Sequence, residues 1–165
     1  MSQPANSVRS AALAAITAGL LSLASAAVAQ PAEEGTYVSA AELSAKVAKT
    51  TEGTALYTVP TGPGAIVLAA RRTRDGEVEV HDRLNDEFVA REGHASVRVG
   101  GRVEGNRQTA AGEWRGGAIT GGRVYQMSPG DVLWIPAGLP HQVLVPTGKS
   151  FSYLAFKYPK AEAAH

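Results

Sequence analysis

The chain has 165 residues, with 16 basic and 15 acidic side chains and no cysteine. Without cysteine, disulfides and thiolate chemistry are excluded, and a near-balanced charge with no long basic block argues against nucleic acid as a partner. The length allows one domain with a sizeable core.

At the N-terminus, Arg9 supplies a positive region, residues 11–24 an apolar stretch, and Ala27-Val28-Ala29 a small-x-small site. This pattern predicts a secretory signal over residues 1–29, cleaved before Gln30. The apolar part is Ala-rich and short beside the roughly 20 residues of a membrane span, and no second run of that length follows. The mature chain is therefore expected to be soluble, free of the membrane after cleavage, and secreted or periplasmic. Its formal charge is zero with neutral histidines, since Arg9 is the one charged residue of the leader.

Residues 30–54 read as an N-terminal arm and short helix. Pro31 and Gly35 mark the arm, and Ser39 can cap a helix over 40–49. Glu42 stands at its third position as in a capping box, with Leu43, Val47 and Ala40 on one face. Residues 50–53 end it.

From residue 55 the pattern is one of strands and turns. Strands are predicted at 55–59, 65–72, 78–81, 87–91, 95–99, 118–120, 123–127, 132–135, 141–145 and 151–158. Turn signals punctuate them, among them Asp75-Gly76, Gly100-Gly101, Gly121-Gly122 and Pro129-Gly130. Many short strands at regular spacing imply an all-β sandwich or barrel spanning 55–160, with a tail at 161–165. The polar, Gly-rich run 101–117 reads as a loop between two halves of a jelly roll.

The segment GDVLWIPAGLPH, residues 130–141, has the spacing G-x5-P-x-G-x2-H. A turn at Ser128-Pro129-Gly130 feeds an apolar strand, and Pro136-Ala137-Gly138 reverses the chain before His141 opens the next strand. This segment resembles the second motif of the cupin family. Upstream, EVEVHDRLNDEFVAREG, residues 77–93, matches the spacing of the first cupin motif, H-x-H-x3 or 4-E-x6-G, with Glu79, His81, Asp86 and Gly93 at its marked places. Three identities depart from the family. Glu79 stands for the first histidine, Asp86 for the glutamate, with Glu87 as a one-residue alternative, and Val145 for the usual asparagine. The resemblance covers residues 65–158 and is to small exported single-domain cupins. It implies a cupin-type double-stranded β-helix, a jelly-roll barrel, here with a short N-terminal helix.

Strand alternation puts Glu79 and His81 on one face of their strand, and His141, Val143 and Val145 on one face of theirs. If both faces point inward, two imidazoles converge with the carboxylates of Glu79 and Asp86. That set suits a divalent transition metal, Fe, Mn, Ni or Zn, with positions left open for substrate. The alternative is a metal-free barrel in which His81 and His141 are ordinary hydrogen-bonded histidines and Glu79 pairs with an arginine. Arg71, Arg72 and Arg74 read as a solvated strand end, with one inward arginine able to hold an anion or pair with Glu79. His94 reads as exposed, His165 as part of the tail, Trp134 and Tyr125 as core or interface, and Tyr153 as lining the cavity. The functions compatible with this pattern are a metal-dependent enzyme acting on a small molecule, by dioxygenase- or isomerase-like chemistry, a non-catalytic module for a sugar or aromatic ligand, and an assembly role. Exposed sheet edges further predict a homodimer, formed through the helix or first strand.

Overall fold

The computed structural model describes residues 35–49 and 53–161. The expected leader, residues 30–34 of the arm, residues 50–52 and His165 lie outside the described residues. Helix α1 (Ala40–Ala48) begins where its cap predicts: Ser39 is extended, and its Oγ accepts the Glu42 N–H at 3.2 Å. Leu43 and Val47 are buried one turn apart. Ala40, expected on the same face, is exposed instead. No described helix is long and apolar enough to cross a membrane.

Among the described residues thirteen strands follow: β1 (Thr54–Val59), β2 (Ile66–Arg72), β3 (Glu79–His81), β4 (Leu84–Gly93), β5 (Ala95–Val99), β6 (Arg102–Glu104), β7 (Arg107–Ala110), β8 (Glu113–Arg115), β9 (Ala118–Thr120), β10 (Arg123–Met127), β11 (Val132–Ile135), β12 (His141–Leu144) and β13 (Phe151–Pro159). One sheet has the order β1-β2-β13-β4-β11, a second β10-β5-β12-β3-β8-β7, and β6 pairs with β9. The alternation of side chains gives each sheet an inner face. Phe88, Ala90, Leu133, Ile135, Phe151, Tyr153 and Ala155 from the first sheet meet Ala95, Val97, Val99, Met127 and Val143 from the second in one core. Leu43 and Val47 of α1 close over Ala69 on the outer face of β2, with Tyr57, Val59 and Leu154 around them.

Two sequence expectations need correction. The run 101–117 is not a loop but holds β6, β7 and β8, and the β7–β8 hairpin extends the second sheet beyond β3. Its strands are short, and β7 is exposed throughout, so no apolar alternation announced them. Strand β4 starts at Leu84 rather than residue 87, which brings Asn85 and Asp86 into the ladder. Of the two places expected for Trp134, core or interface, this chain's core is excluded: Leu133 and Ile135 take the inner face of β11, leaving Trp134 55% and Val132 60% exposed on the outer one. Tyr125 does pack against the core, and His94 is exposed.

The glycines of the two motifs have backbone reasons. Gly138 adopts φ 85° in the turn closed by the Leu139 N–H to the Pro136 carbonyl at 3.2 Å; this left-handed conformation costs other residues free energy. Gly93 combines φ 75° with close approach, since a Cβ there would lie 2.0 Å from the Ser150 carbonyl oxygen. Gly93→Ala is therefore expected to destabilise the protein by about 2–4 kcal/mol. Denaturant unfolding would show it as a lowered midpoint with an unchanged slope; a loss under about 0.5 kcal/mol would contradict the account.

Candidate metal centre

Four cross-strand registers bring the polar side chains together between the two sheets. His141 lies opposite Glu79, His81 opposite Glu113, and Glu79 opposite Arg115 within the second sheet, while Lys157 lies opposite Asp86 in the first. Each pair shares the inner face of its sheet, where directly opposed residues touch. The motif turn also ties the two histidine strands together, because the Gly138 N–H donates to the His81 carbonyl at 2.8 Å.

Both histidines are oriented from behind. His81 Nδ1 meets Glu113 Oε2 at 2.6 Å, and His141 Nδ1 meets the Leu139 carbonyl at 3.3 Å. With the ring proton on Nδ1 in each case, both Nε2 atoms point forward with their lone pairs toward the cluster, the tautomer a metal-ligating histidine uses. Ahead of them stands Asp86, 1% exposed. Its Oδ2 lies 3.2 Å from His81 Nε2 and 3.1 Å from His141 Nε2, and Glu79 Oε2 lies 3.5 Å from His81 Nε2. Asp86 Oδ2 and His141 Nε2 are both buried, and beyond these imidazole–carboxylate contacts neither has a hydrogen-bond partner among the described residues. A bare imidazole lone pair facing a buried carboxylate is an unfavourable arrangement, relieved by a proton or a metal ion between them.

The donor set fits a transition metal. Ligand atoms about 2.1 Å from a common ion lie about 3.0 Å apart at right angles and about 3.4 Å apart at tetrahedral angles, which brackets most of the observed separations. Glu79, His81 and His141 alone offer three ligand atoms within 4.8 Å of one another. Asp86, not Glu87, is the inward carboxylate, because Glu87 falls on the opposite face of β4.

The sequence reading missed Glu113, Arg115 and Lys157. Glu113 and Arg115 lie in the polar, Gly-rich run 101–117, whose sequence predicts a loop. The signal for Lys157 was present, since Phe151, Tyr153, Ala155 and Lys157 alternate along one face of β13. Its Nζ lies 2.8 Å from His81 Nε2 and donates to Asp86 Oδ1 at 2.5 Å. Arg72 is not a solvated strand end but a buried inward arginine. It donates to the Tyr153 hydroxyl at 2.9 Å and to Glu79 Oε1 at 3.1 Å. Together with Leu68, Phe88, Arg115 and Lys157, these residues line a cavity of about 150 Å³ beside the histidines. Tyr153 therefore lines the cavity as expected.

Charge crowding shifts the titrations. Burial opposes ionisation of Asp86, yet hydrogen bonds to His141 and His81 and the Lys157 charge hold it well below the usual carboxylate range. Burial likewise opposes ionisation of Glu79, but His81, Arg115, His141 and Lys157 bring it down to about 2. His81 is drawn down by burial and up, to about 9, by hydrogen bonds to Asp86 and Glu79. Its Nε2 is thus the contested atom: protonated, it donates to Asp86 while facing an ammonium; unprotonated, it accepts from Lys157.

The family of AraC-like ligand binding domains matches residues 110–165. No curated protein matches. Among solved structures, the chain is similar to a Klebsiella pneumoniae protein with a double-stranded beta-helix domain (15% identity, 76% of this chain and 91% of that one, TM-score 0.55). It is similar also to the protein TT1209 of Thermus thermophilus (20%, 72% and 95%, 0.52) and to a protein of Bacillus halodurans (15%, 80% and 87%, 0.54). These likenesses are of fold. The chain has the cupin fold, a double-stranded β-helix.

The ion-free protein should show the raised His81 value in its stability. Below pH about 6.5, the ordinary value, both folded and unfolded chains hold the proton and the contribution is complete; it is lost as pH rises through about 9. With chelator present, the melting temperature is expected to fall between pH 6.5 and 9 more in the wild type than in His81→Gln; equal slopes would contradict this. The Glu79 contribution has the opposite sense, present above pH about 4.5 and lost as pH falls toward 2.

Proposed function

We propose that this is an exported cupin-fold protein that holds a divalent transition metal, Fe, Mn, Ni or Zn, through Glu79, His81, Asp86 and His141, and that binds or transforms a small molecule in the adjoining cavity. The observation that carries the reading is the convergence of buried ligand atoms, with Asp86 Oδ2 and His141 Nε2 facing each other at 3.1 Å and no partner for either outside the cluster among the described residues. The match to AraC-like ligand binding domains supports a small-molecule ligand. Export rests on the leader pattern of residues 1–29, and the homodimer on the open sheet edges.

When bound, such an ion supplies Lewis-acid polarisation or dioxygen activation. The chain's own contributions are distinct. Glu113 and the Leu139 carbonyl fix the two imidazoles, and Arg72, held by Tyr153, fixes the Glu79 carboxylate from the other side. Leu68 and Phe88 give the cavity apolar wall, while Arg115 at its rim offers a cation to a polar or anionic group on a ligand. The layout suits isomerase-like or dioxygenase-like chemistry on a small molecule.

A second reading, a metal-free binding module for a sugar or aromatic ligand, is favoured by one observation. Lys157 already places an ammonium against His81 and Asp86. The two readings separate on elemental analysis of untagged protein, wild type and His141→Ala. The metal reading expects near-stoichiometric metal in the wild type and a loss of affinity of roughly tenfold or more in the variant. Absence of metal after reconstitution, with ligand-induced stabilisation that survives chelation, would instead establish the second.

A further inference from the structure

We propose that Lys157 is an internal occupant of the metal position, so that its ammonium and a divalent ion exclude each other at His81 Nε2. The inference rests on the metal reading above. In its neutral form, the one a metal would use, His81 directs its Nδ1 proton at Glu113 Oε2 and has a single lone pair to offer, on Nε2, where Lys157 Nζ stands at 2.8 Å. The same ammonium holds Asp86 Oδ1 at 2.5 Å, so it engages two of the four candidate ligands at once. An ion bound to both residues would sit beside Nζ, and two like charges at that separation repel strongly where water is scarce.

Lys157 is fixed in this role by register. It stands directly opposite Asp86 on β13, and its side chain is 11% exposed, so it does not reach the site as a passing surface residue. Its stem also has somewhere to go: Lys157 itself lines the cavity of about 150 Å³, beside Leu68 and Ala155. Metal entry therefore swaps one cation for another and moves the ammonium onto the cavity wall. The exchange keeps Asp86 paired in both states, which a buried carboxylate requires.

The test is calorimetric titration of chelator-treated protein with Zn(II), and separately with Mn(II), at one fixed pH. Lys157→Met keeps the length of the stem and removes the charge; it is expected to bind the ion roughly 10–100-fold more tightly than the wild type. Lys157→Arg, which retains a cation there, is expected to show no such gain. Adding His141→Ala to Lys157→Met is expected to abolish the gain, tying it to this site and not to surface histidines. Lys157→Met leaves Asp86 without its partner, so its ion-free form is expected to melt lower than the wild type and to be raised more by Zn(II). Wild-type binding that Lys157→Met fails to tighten would overturn the exclusion while leaving the metal reading standing. If neither protein binds either ion, the metal reading falls, and the exclusion with it.

Discussion

Strand register is the constraint on which the site depends. Because side chains alternate with a period of two, a one-residue slip of β3, β4, β12 or β13 would turn Glu79 and His81, Asp86, His141 or Lys157 away from the interior. The hydrophobic core guards against such slips. Phe88 and Ala90 follow Asp86 along β4, Tyr153 and Ala155 precede Lys157 along β13, and Val143 follows His141 along β12, all on the same inner face. The site and the core are thus two ends of one pattern. Each polar residue is held inward by the apolar residues that share its strand.

That dependence explains what the sequence disclosed. The motif spacing identified Gly130, Pro136, Gly138 and His141 as turn and strand opening, and period-two alternation aligned His81 with Glu79. It also separated Asp86 from Glu87 once the start of β4 was known. Glu113 was hidden for a physical reason. It reaches His81 only through the pairing of β3 with β8, and that pairing is made by backbone hydrogen bonds in a polar, Gly-rich segment that carries no hydrophobic period. Lys157 was legible in principle, at an even spacing from Phe151, but lysine at a strand end ordinarily marks solvent. Only the partner strand shows that it faces Asp86. Trp134, a large aromatic residue in an apolar strand, fits either a core or an interface by sequence, and alternation gives the core place to Leu133 and Ile135.

Electrostatically, the site is built to attract positive charge to one atom. Glu79, Asp86 and Glu113 surround His81, and each fixes either the ring or the space in front of Nε2. A proton, the Lys157 ammonium and a metal ion all answer the same field. Arg72 and Arg115 temper it by pairing with Glu79 and Glu113, and Arg115 is among the charges that keep Glu79 ionised despite burial. The departure from the usual cupin motif at Glu79 has its counterpart in these arginines. A carboxylate in place of an imidazole adds negative charge, and Arg72 and Arg115 sit within 3.5 Å of its two oxygens.

The central claim is that Glu79, His81, Asp86 and His141 form one divalent-metal centre. Anomalous diffraction from crystals of the chain soaked in Mn(II) tests it most directly, because it locates the ion without reference to activity. The expected result is a strong peak about 2.0–2.3 Å from His81 Nε2, His141 Nε2 and the inward carboxylate oxygens, with Lys157 displaced from His81. No peak at that position, or peaks confined to surface groups such as His94, with Lys157 still seated on His81 and Asp86, would contradict it.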